Sequence, residues 1–262
     1  MKSRSLMVSL VLLLALGTVG CGSGGIGSGS SVSLEQEWQI GEQMAAQVAQ
    51  QVQLNNDPQL NAYVRSVGER IHAQTPMAQL PFHFYVVNDP AVNAFSLPGG
   101  HVYVNSGLIQ QADTVDMLAG VMAHEISHNV ARHVVKKIEQ EQTIGVIGSI
   151  LLGQNPGQLQ TILANIIAGG ALARFSRADE KEADDLGLGY MTKAGYNPEG
   201  MLKMFQKLLS LEKGSPSAVE KFFLDHPLTQ DRINDISNRI KKMGNTGGIT
   251  DDPAYQAVRR RL

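Results

Sequence analysis

His124-Glu125-Ile126-Ser127-His128 lies in a run from Met117 to Lys137 that has no proline and, inside it, only Gly120 as a glycine. Residues four apart share one face of an α-helix, so the spacing predicts a helix on which both imidazoles can hold one metal ion. Glu125 sits beside that face, placed to act as a base rather than a ligand. Asp113 can cap the helix, and Asp116 follows three residues on. Leu118, Val121, Met122 and Ile126 make it apolar on more than one side, so the run reads as one buried helix to Lys137. A buried helix carrying imidazoles needs a reason to exist, and a metal supplies one.

Catalytic zinc usually takes three protein ligands and an open position, so two histidines leave one ligand to find. The stretch Ser176-Arg177-Ala178-Asp179-Glu180-Lys181-Glu182-Ala183-Asp184 offers it. Glu180 is the favoured candidate. Asp184, one turn on, can accept a hydrogen bond from a ligand imidazole and fix its orientation. Glu182 competes, but its spacing turns it away from the face that Glu180 and Asp184 share.

Around these motifs the chain reads as helix, strand and helix again. Trp38 to Val52 and Leu60 to Ile71 recur at helical spacing, with Pro58 suited to a first helical position. His72 and His83 read as structural histidines. Phe82 to Val87 alternates like a strand, and His101-Val102-Tyr103-Val104-Asn105 forms another just before the metal helix. If that second strand is a sheet edge, an extended peptide can add to it. Thr143 to Arg174 is Gly-rich and apolar, and reads as a hairpin or lid over the site, with a loop dipping into a membrane as the alternative; Ile144 to Leu152 is too short to span a bilayer. Helices follow over Met201 to Leu209 and Ile233 to Ile240. Between them His226 is held by Pro227 in extended backbone, a rigid position from which its ring can reach the site.

The amino terminus predicts a secretory route. Lys2 and Arg4 precede an apolar stretch from Leu6 to Leu16, so residues 1–20 read as a signal peptide. Cys21, the only cysteine, follows Gly20 and resembles the lipidated cysteine of a bacterial lipobox, with Thr18 where leucine is usual. Residues 22–33, nearly all Gly and Ser, make 21–33 a lipidated cysteine with a flexible tether. With no second cysteine the fold gains no disulfide and must rest on its core. Residues 34–243 suffice for one domain, and 244–262 read as a loosely ordered tail. A formal charge of −2, without basic residues interleaved with aromatics, argues against a nucleic-acid partner.

Taken together, the motifs resemble those of the zinc metallopeptidases that include the CaaX prenyl proteases and HtpX, with soluble periplasmic relatives. The resemblance rests on Asn93 to Gly107, on His124-Glu125-x-x-His128 with His133 five beyond, on Ser176-Arg177-x-x-Glu180-x-x-Ala183-Asp184, and on Asp225-His226-Pro227, in the family's order. It implies an α+β, mostly helical, zincin-like fold with a small sheet beside the metal helix. It implies one Zn²⁺ on His124, His128 and Glu180, Glu125 as catalytic base, and Asp184 behind a ligand. It gives His226 a role near the metal, either as a fourth ligand in a latent state or as an oxyanion stabiliser. Unlike the membrane-bound members, this sequence shows no spanning helices, and no helical-repeat stretch is read in it. The expected protein is a zinc endopeptidase of unfolded envelope polypeptides, held to a bacterial membrane through Cys21, with the outer membrane favoured and the substrate along His101–Asn105. The competing reading is a zinc-bound periplasmic chaperone with incidental proteolysis.

Overall fold

The computed structural model describes residues 30–142, 144–167, 174–244 and 247–262. The signal peptide, Cys21 and all but the end of the Gly/Ser tether lie outside the described residues. The chain is α+β and mostly helical. Helices α1 (Leu34–Gln51) and α2 (Pro58–His72) lead into strands β1 (His83–Val87), β2 (Ala94–Leu97) and β3 (His101–Asn105). Then come α3 (Ser106–Gln111), α4 (Val115–Val130), α5 (His133–Glu141), α6 (Ile144–Leu151) and α7 (Pro156–Ile167). The remainder is α8 (Arg177–Lys193), α9 (Glu199–Gly214), α10 (Pro216–Asp225), α11 (Gln230–Met243) and α12 (Pro253–Arg259).

All sixteen residues of α4 are buried, as its apolar circumference predicted. It is wrapped by α2, α8, α9 and the sheet. Close approach is what lets α8 reach it: a Cβ at Gly187 would lie 3.0 Å from the Ala123 carbonyl carbon and 3.1 Å from the His124 nitrogen. Gly120 serves α9 in the same way, since a Cβ there would lie 2.6 Å from the Met201 Cα. Two details differ from the sequence reading. The N-cap of α4 is Thr114, while Asp113 stands one residue outside and pairs with Lys207 and Arg259. The run to Lys137 also breaks, because Arg132 adopts a left-handed conformation (φ 61°, ψ 32°) and α5 starts afresh at His133.

The sheet order is β1-β3-β2. β3 pairs in parallel with β1, His83 opposite His101, and antiparallel with β2, Ala94 opposite Val104. His101, Val102, Tyr103, Val104 and Asn105 are therefore the central strand and all buried, so they cannot be the substrate edge expected for them. A central strand spends its N–H and C=O groups on both neighbours. The outer strands are β1, bridged at Val87 to Leu54, and β2, which has no second strand partner among the described residues although its four residues are buried beneath helices. Side-chain alternation splits the core across the sheet: Phe84, Val86, Val102 and Val104 pack with α2, α4, α8 and α9. Phe95, Leu97 and Tyr103 pack on the other side with α1, α5 and the α6–α7 hairpin. None of the described helices is long and apolar enough to cross a membrane.

The end of the chain is also more ordered than its composition predicted. Asp252 caps α12, and the hydroxyl of the fully buried Tyr255 lies 2.7 Å from the Ala112 carbonyl oxygen, to which it donates, and 3.1 Å from that of Ile109. This aromatic anchor, with its one donor satisfied, holds the tail against α3. Tyr255→Ala is expected to cost about 3–5 kcal/mol, the range for removing a buried aromatic; urea unfolding that finds less than 1 kcal/mol would leave the tail peripheral. The burial of β3 has a pH consequence through His101. Burial first, and His83 beside it, lower its pKa from 6.5 to about 4. A lowered folded pKa means that its stabilising share is complete above pH 6.5 and lost as pH falls towards 4. That share is about 3 kcal/mol. In metal-free protein the loss of unfolding free energy between pH 6.5 and 4 should be shallower in His101→Gln than in wild type.

Candidate metal centre

His124, Glu125 and His128 project from the middle of α4, where the i, i+4 spacing stacks the two imidazoles on one face. The Gly187 contact brings α8 alongside, so that Glu180 and Asp184, four apart on that helix, face them. His226 caps the end of α10, and Arg232 sits in the first turn of α11. All these side chains are buried or nearly so.

Four of them converge: one ligand atom each from His124, His128, Glu180 and His226 lie within 4.8 Å of one another. His124 Nε2 is 3.0 Å from His128 Nε2 and 3.3 Å from His226 Nδ1. Glu180 Oε1 is 3.0 Å from His226 Nδ1 and 3.5 Å from His128 Nε2, and its Oε2 is 3.6 Å from His124 Nε2. A tetrahedron with metal–donor bonds near 2.05 Å has edges of about 3.3 Å, so these separations are those of a zinc coordination shell. Two ring nitrogens facing each other at 3.0 Å repel as lone pairs unless a proton or a metal ion lies between them.

The charges fit a dication as well. Three buried carboxylates, Glu125, Glu180 and Asp184, face one guanidinium, Arg232, so the site calls for further positive charge, which a bound cation or a proton on His226 can supply. Arg232 holds Asp184 with two hydrogen bonds of 2.8 Å and reaches Glu180 Oε2 at 2.5 Å. Asp184 Oδ1 lies 3.0 Å from His124 Nδ1, a carboxylate placed to favour the proton on Nδ1 and leave the Nε2 lone pair for the cluster. Burial alone would raise the Glu180 pKa; the positive field of His226, with hydrogen bonds from His128 and His226, holds it well below the carboxylate range. Asp184 behaves alike, with burial outweighed by His124 and Arg232. Burial drives His128 well below its ordinary value, whereas Glu180 and Glu125 overcome burial at His226 and lift it to about 9.

Glu125 stands beside the cluster rather than in it, with His226 Nε2 3.3 Å from its Oε1. A cavity of about 10 Å³, the size of one water molecule, opens on it. Ser96, Ile166, Phe175 and Asp225 are among its walls. Phe175 stacks on the His128 ring at 3.9 Å. Asp225, raised by burial to about 6, accepts a hydrogen bond from Asn93.

The structure thus brings together His124, Glu125, His128, Glu180, Asp184 and His226, and leaves His101–Asn105 in the sheet interior. Glu182 is exposed and lies against His133 instead. Arg232 and Phe175 escaped the sequence reading. Arg232 directly precedes the apolar Ile233-Ile236-Ile240 stripe, and a cation at the margin of a buried face was the available signal. Phe175, between the stretch read as a lid and the Ser176 motif, carried none.

Residues 58–240 match the description "Peptidase family M48". The beta-barrel assembly-enhancing protease of Escherichia coli is 34% identical over 247 residues, covering 91% of this chain and 50% of that protein. The protein of the same name in Yersinia pestis is 34% identical over 228 residues, 84% of this chain and 47% of its own length. The mitochondrial metalloendopeptidase OMA1 of Schizosaccharomyces pombe is 36% identical over 176 residues, 66% and 51% of the two chains. The chain spans about half the length of these curated relatives. A buried three-imidazole, one-carboxylate donor set with a free glutamate beside it, on a chain matched over most of its length, has one reading: the chain belongs to peptidase family M48, with one zinc ion as its cofactor.

Proposed function

We propose that this chain is a zinc-dependent endopeptidase that cuts unfolded or misassembled envelope polypeptides. The observation that carries the reading is the convergence of His124, His128 and Glu180 beside a buried Glu125 that is not part of the ligand cluster. A structural zinc needs no adjacent base, so the buried Glu125 is what favours a catalytic site even with His226 near the fourth corner. In this reading His124, His128 and Glu180 hold the ion, and Asp184 orients His124. Zinc bound there supplies Lewis acidity towards water and the scissile carbonyl. Glu125 takes a proton from the attacking water and returns it to the leaving amine. Arg232 balances Glu180 and Asp184, so both stay ionised while the ring nitrogens stay free to ligate.

His226 occupies the fourth corner in this arrangement. With its Nδ1 among the donors and its Nε2 towards Glu125, it fills the position that substrate needs, and the cavity left beside Glu125 admits only a water molecule. We read this as a latent state that opens when the loop carrying His226 withdraws from the cluster. Substrate would then add to β2. Asn93 accepts from the Asn105 N–H, so the backbone groups of Ala94 and Ser96 alternate away from β3 towards the open edge, and Ser96 lines the cavity. An edge strand reads an extended main chain and tolerates many side chains, which suits unfolded polypeptides. The envelope as location, the lipid on Cys21 and the preference for the outer membrane rest on the sequence of residues 1–33 and on the likeness to the beta-barrel assembly-enhancing proteases. The small cavity equally favours a chaperone whose proteolysis is incidental, and such a role in cells would survive Glu125→Gln.

Zinc content and casein cleavage, measured together, test the reading. Glu125→Gln is expected to keep zinc and lose at least about 100-fold in cleavage. His226→Ala is expected to keep zinc and cut faster than wild type; if it stops cutting instead, His226 acts in catalysis and not in latency. Ser96→Pro removes one N–H from the open edge and is expected to weaken cleavage about tenfold with zinc unchanged, the cost of one lost hydrogen bond. Unchanged cleavage would remove β2 from substrate binding.

A further inference from the structure

His133 has no part in the donor cluster, yet it is 3% exposed and touches the cluster from behind. Its Nδ1 lies 2.9 Å from the Nδ1 of His128. Its Nε2 points the other way, 3.3 Å from Glu182 Oε2 and 3.6 Å from Asp179 Oδ1 on α8. In an unbroken helix a residue five positions on lies about 140° round the axis from the first, so His133 would face away from His128. The left-handed Arg132 is what turns it back. That conformation is costly for a residue other than glycine, and such strain persists where the surroundings impose it. Here the Arg132 side chain is buried, with Nε 2.6 Å from Glu37 Oε2 and Nη2 2.6 Å from the Val32 carbonyl oxygen, both contributed by the segment entering α1. The helix break, its strain and its anchor together serve to set one imidazole against another.

We propose that His133 is the positioning residue of His128: it accepts the His128 Nδ1–H and passes the polarisation on to the carboxylates of α8. The inference rests on the ligand set proposed above. His128 can offer an Nε2 lone pair to a metal ion only when its proton is on Nδ1. The atom facing that proton is His133 Nδ1, which must then be unprotonated, so the His133 proton sits on Nε2 and is donated to Glu182. Each contact in the chain His128–His133–Glu182 then has one donor and one acceptor. The two imidazole ligands are thereby oriented by different means, His124 directly by the Asp184 carboxylate and His128 through a neutral ring whose carboxylate partners lie at the surface. A neutral acceptor withdraws the proton less strongly than a carboxylate, which makes His128 the weaker base of the two ligands and leaves its hold on the metal dependent on the α4–α5 break.

The test is zinc affinity of the purified chain, measured by competition with a chromophoric chelator, for wild type, His133→Gln and His133→Phe. The Gln side chain can accept from His128 and donate to Glu182; Phe keeps a ring of similar shape and does neither. Loss of an outer partner of a metal ligand weakens binding about 10–100-fold, which is expected for Phe, while Gln should stay within about threefold of wild type. A ring needed only for packing gives the reverse order, with Phe tolerated and Gln not, and overturns the proposal. Equal losses in both variants overturn it too. Should the Phe variant not fold, nitrogen-resolved proton NMR of zinc-loaded wild type decides: the His128 proton on Nδ1 sustains the relay, and on Nε2 it refutes it. A wild type that fails to bind zinc refutes the ligand set itself, whereas tight binding by wild type and His133→Phe alike refutes only the relay.

Discussion

Three carboxylates, three imidazoles and a guanidinium are taken out of water at the middle of this molecule, and the surrounding architecture is arranged around that burial. An isolated buried charge costs several kcal/mol, and an unpaired one neutralises rather than stay charged. Here almost none is left alone. Asp184 sits between His124 and Arg232, Glu180 between Arg232 and the imidazoles, and His128 between the cluster and His133. The carboxylates outnumber the guanidinium, and the converging donors of His124, His128, Glu180 and His226 are placed to share a cation that makes up the difference.

This requirement explains features that packing alone would not demand. α4 is wholly buried because both of its sides are in use, and its neighbours come closest where glycine replaces a side chain, at Gly120, Gly187 and Gly200. The donors come from helices far apart in sequence, α4, α8 and the end of α10. Mutual placement of α4 and α8 therefore sets the donor separations, and the glycine contact beside His124 fixes that placement to a fraction of an ångström. The sheet divides the apolar core, with α4, α8 and α9 on one side and α1, α5 and the α6–α7 hairpin on the other. The cavity beside Glu125 lies where the two parts meet, walled by Phe95 and Ser96 of β2, Ile166 of α7, and Phe175 and His226.

Much of the site was legible along the chain, because its parts obey local rules. The i, i+4 periodicity that put His124 and His128 on one face also paired Glu180 with Asp184 and turned Glu182 outward. Proline after His226 restricted its backbone. The readings that failed were all questions of neighbours. An alternating strand looks the same at an edge or in the middle of a sheet, so β3 could not be told from β2 until pairing order was known. The tail from Gly244 carries few apolar residues, yet its helix is held by the buried Tyr255 and Val258 and by Arg259 on Gln110 and Asp113. The stretch to Lys137 has good helical residues throughout, and nothing local requires Arg132 to turn left-handed; its salt bridge to Glu37, 95 residues away, does.

The sequence by itself determined the helices with a clear apolar period, the chemistry of the donors and the presence of a base beside them, since each depends on residues within a turn or two of one another. Only the tertiary structure decided which strand has a free edge, that Arg232 joins the buried charges, that His133 stands behind His128, and that His226 closes the donor set. Those facts depend on contacts between segments tens of residues apart. Such contacts follow from how all the apolar faces are buried at once, which no local pattern contains.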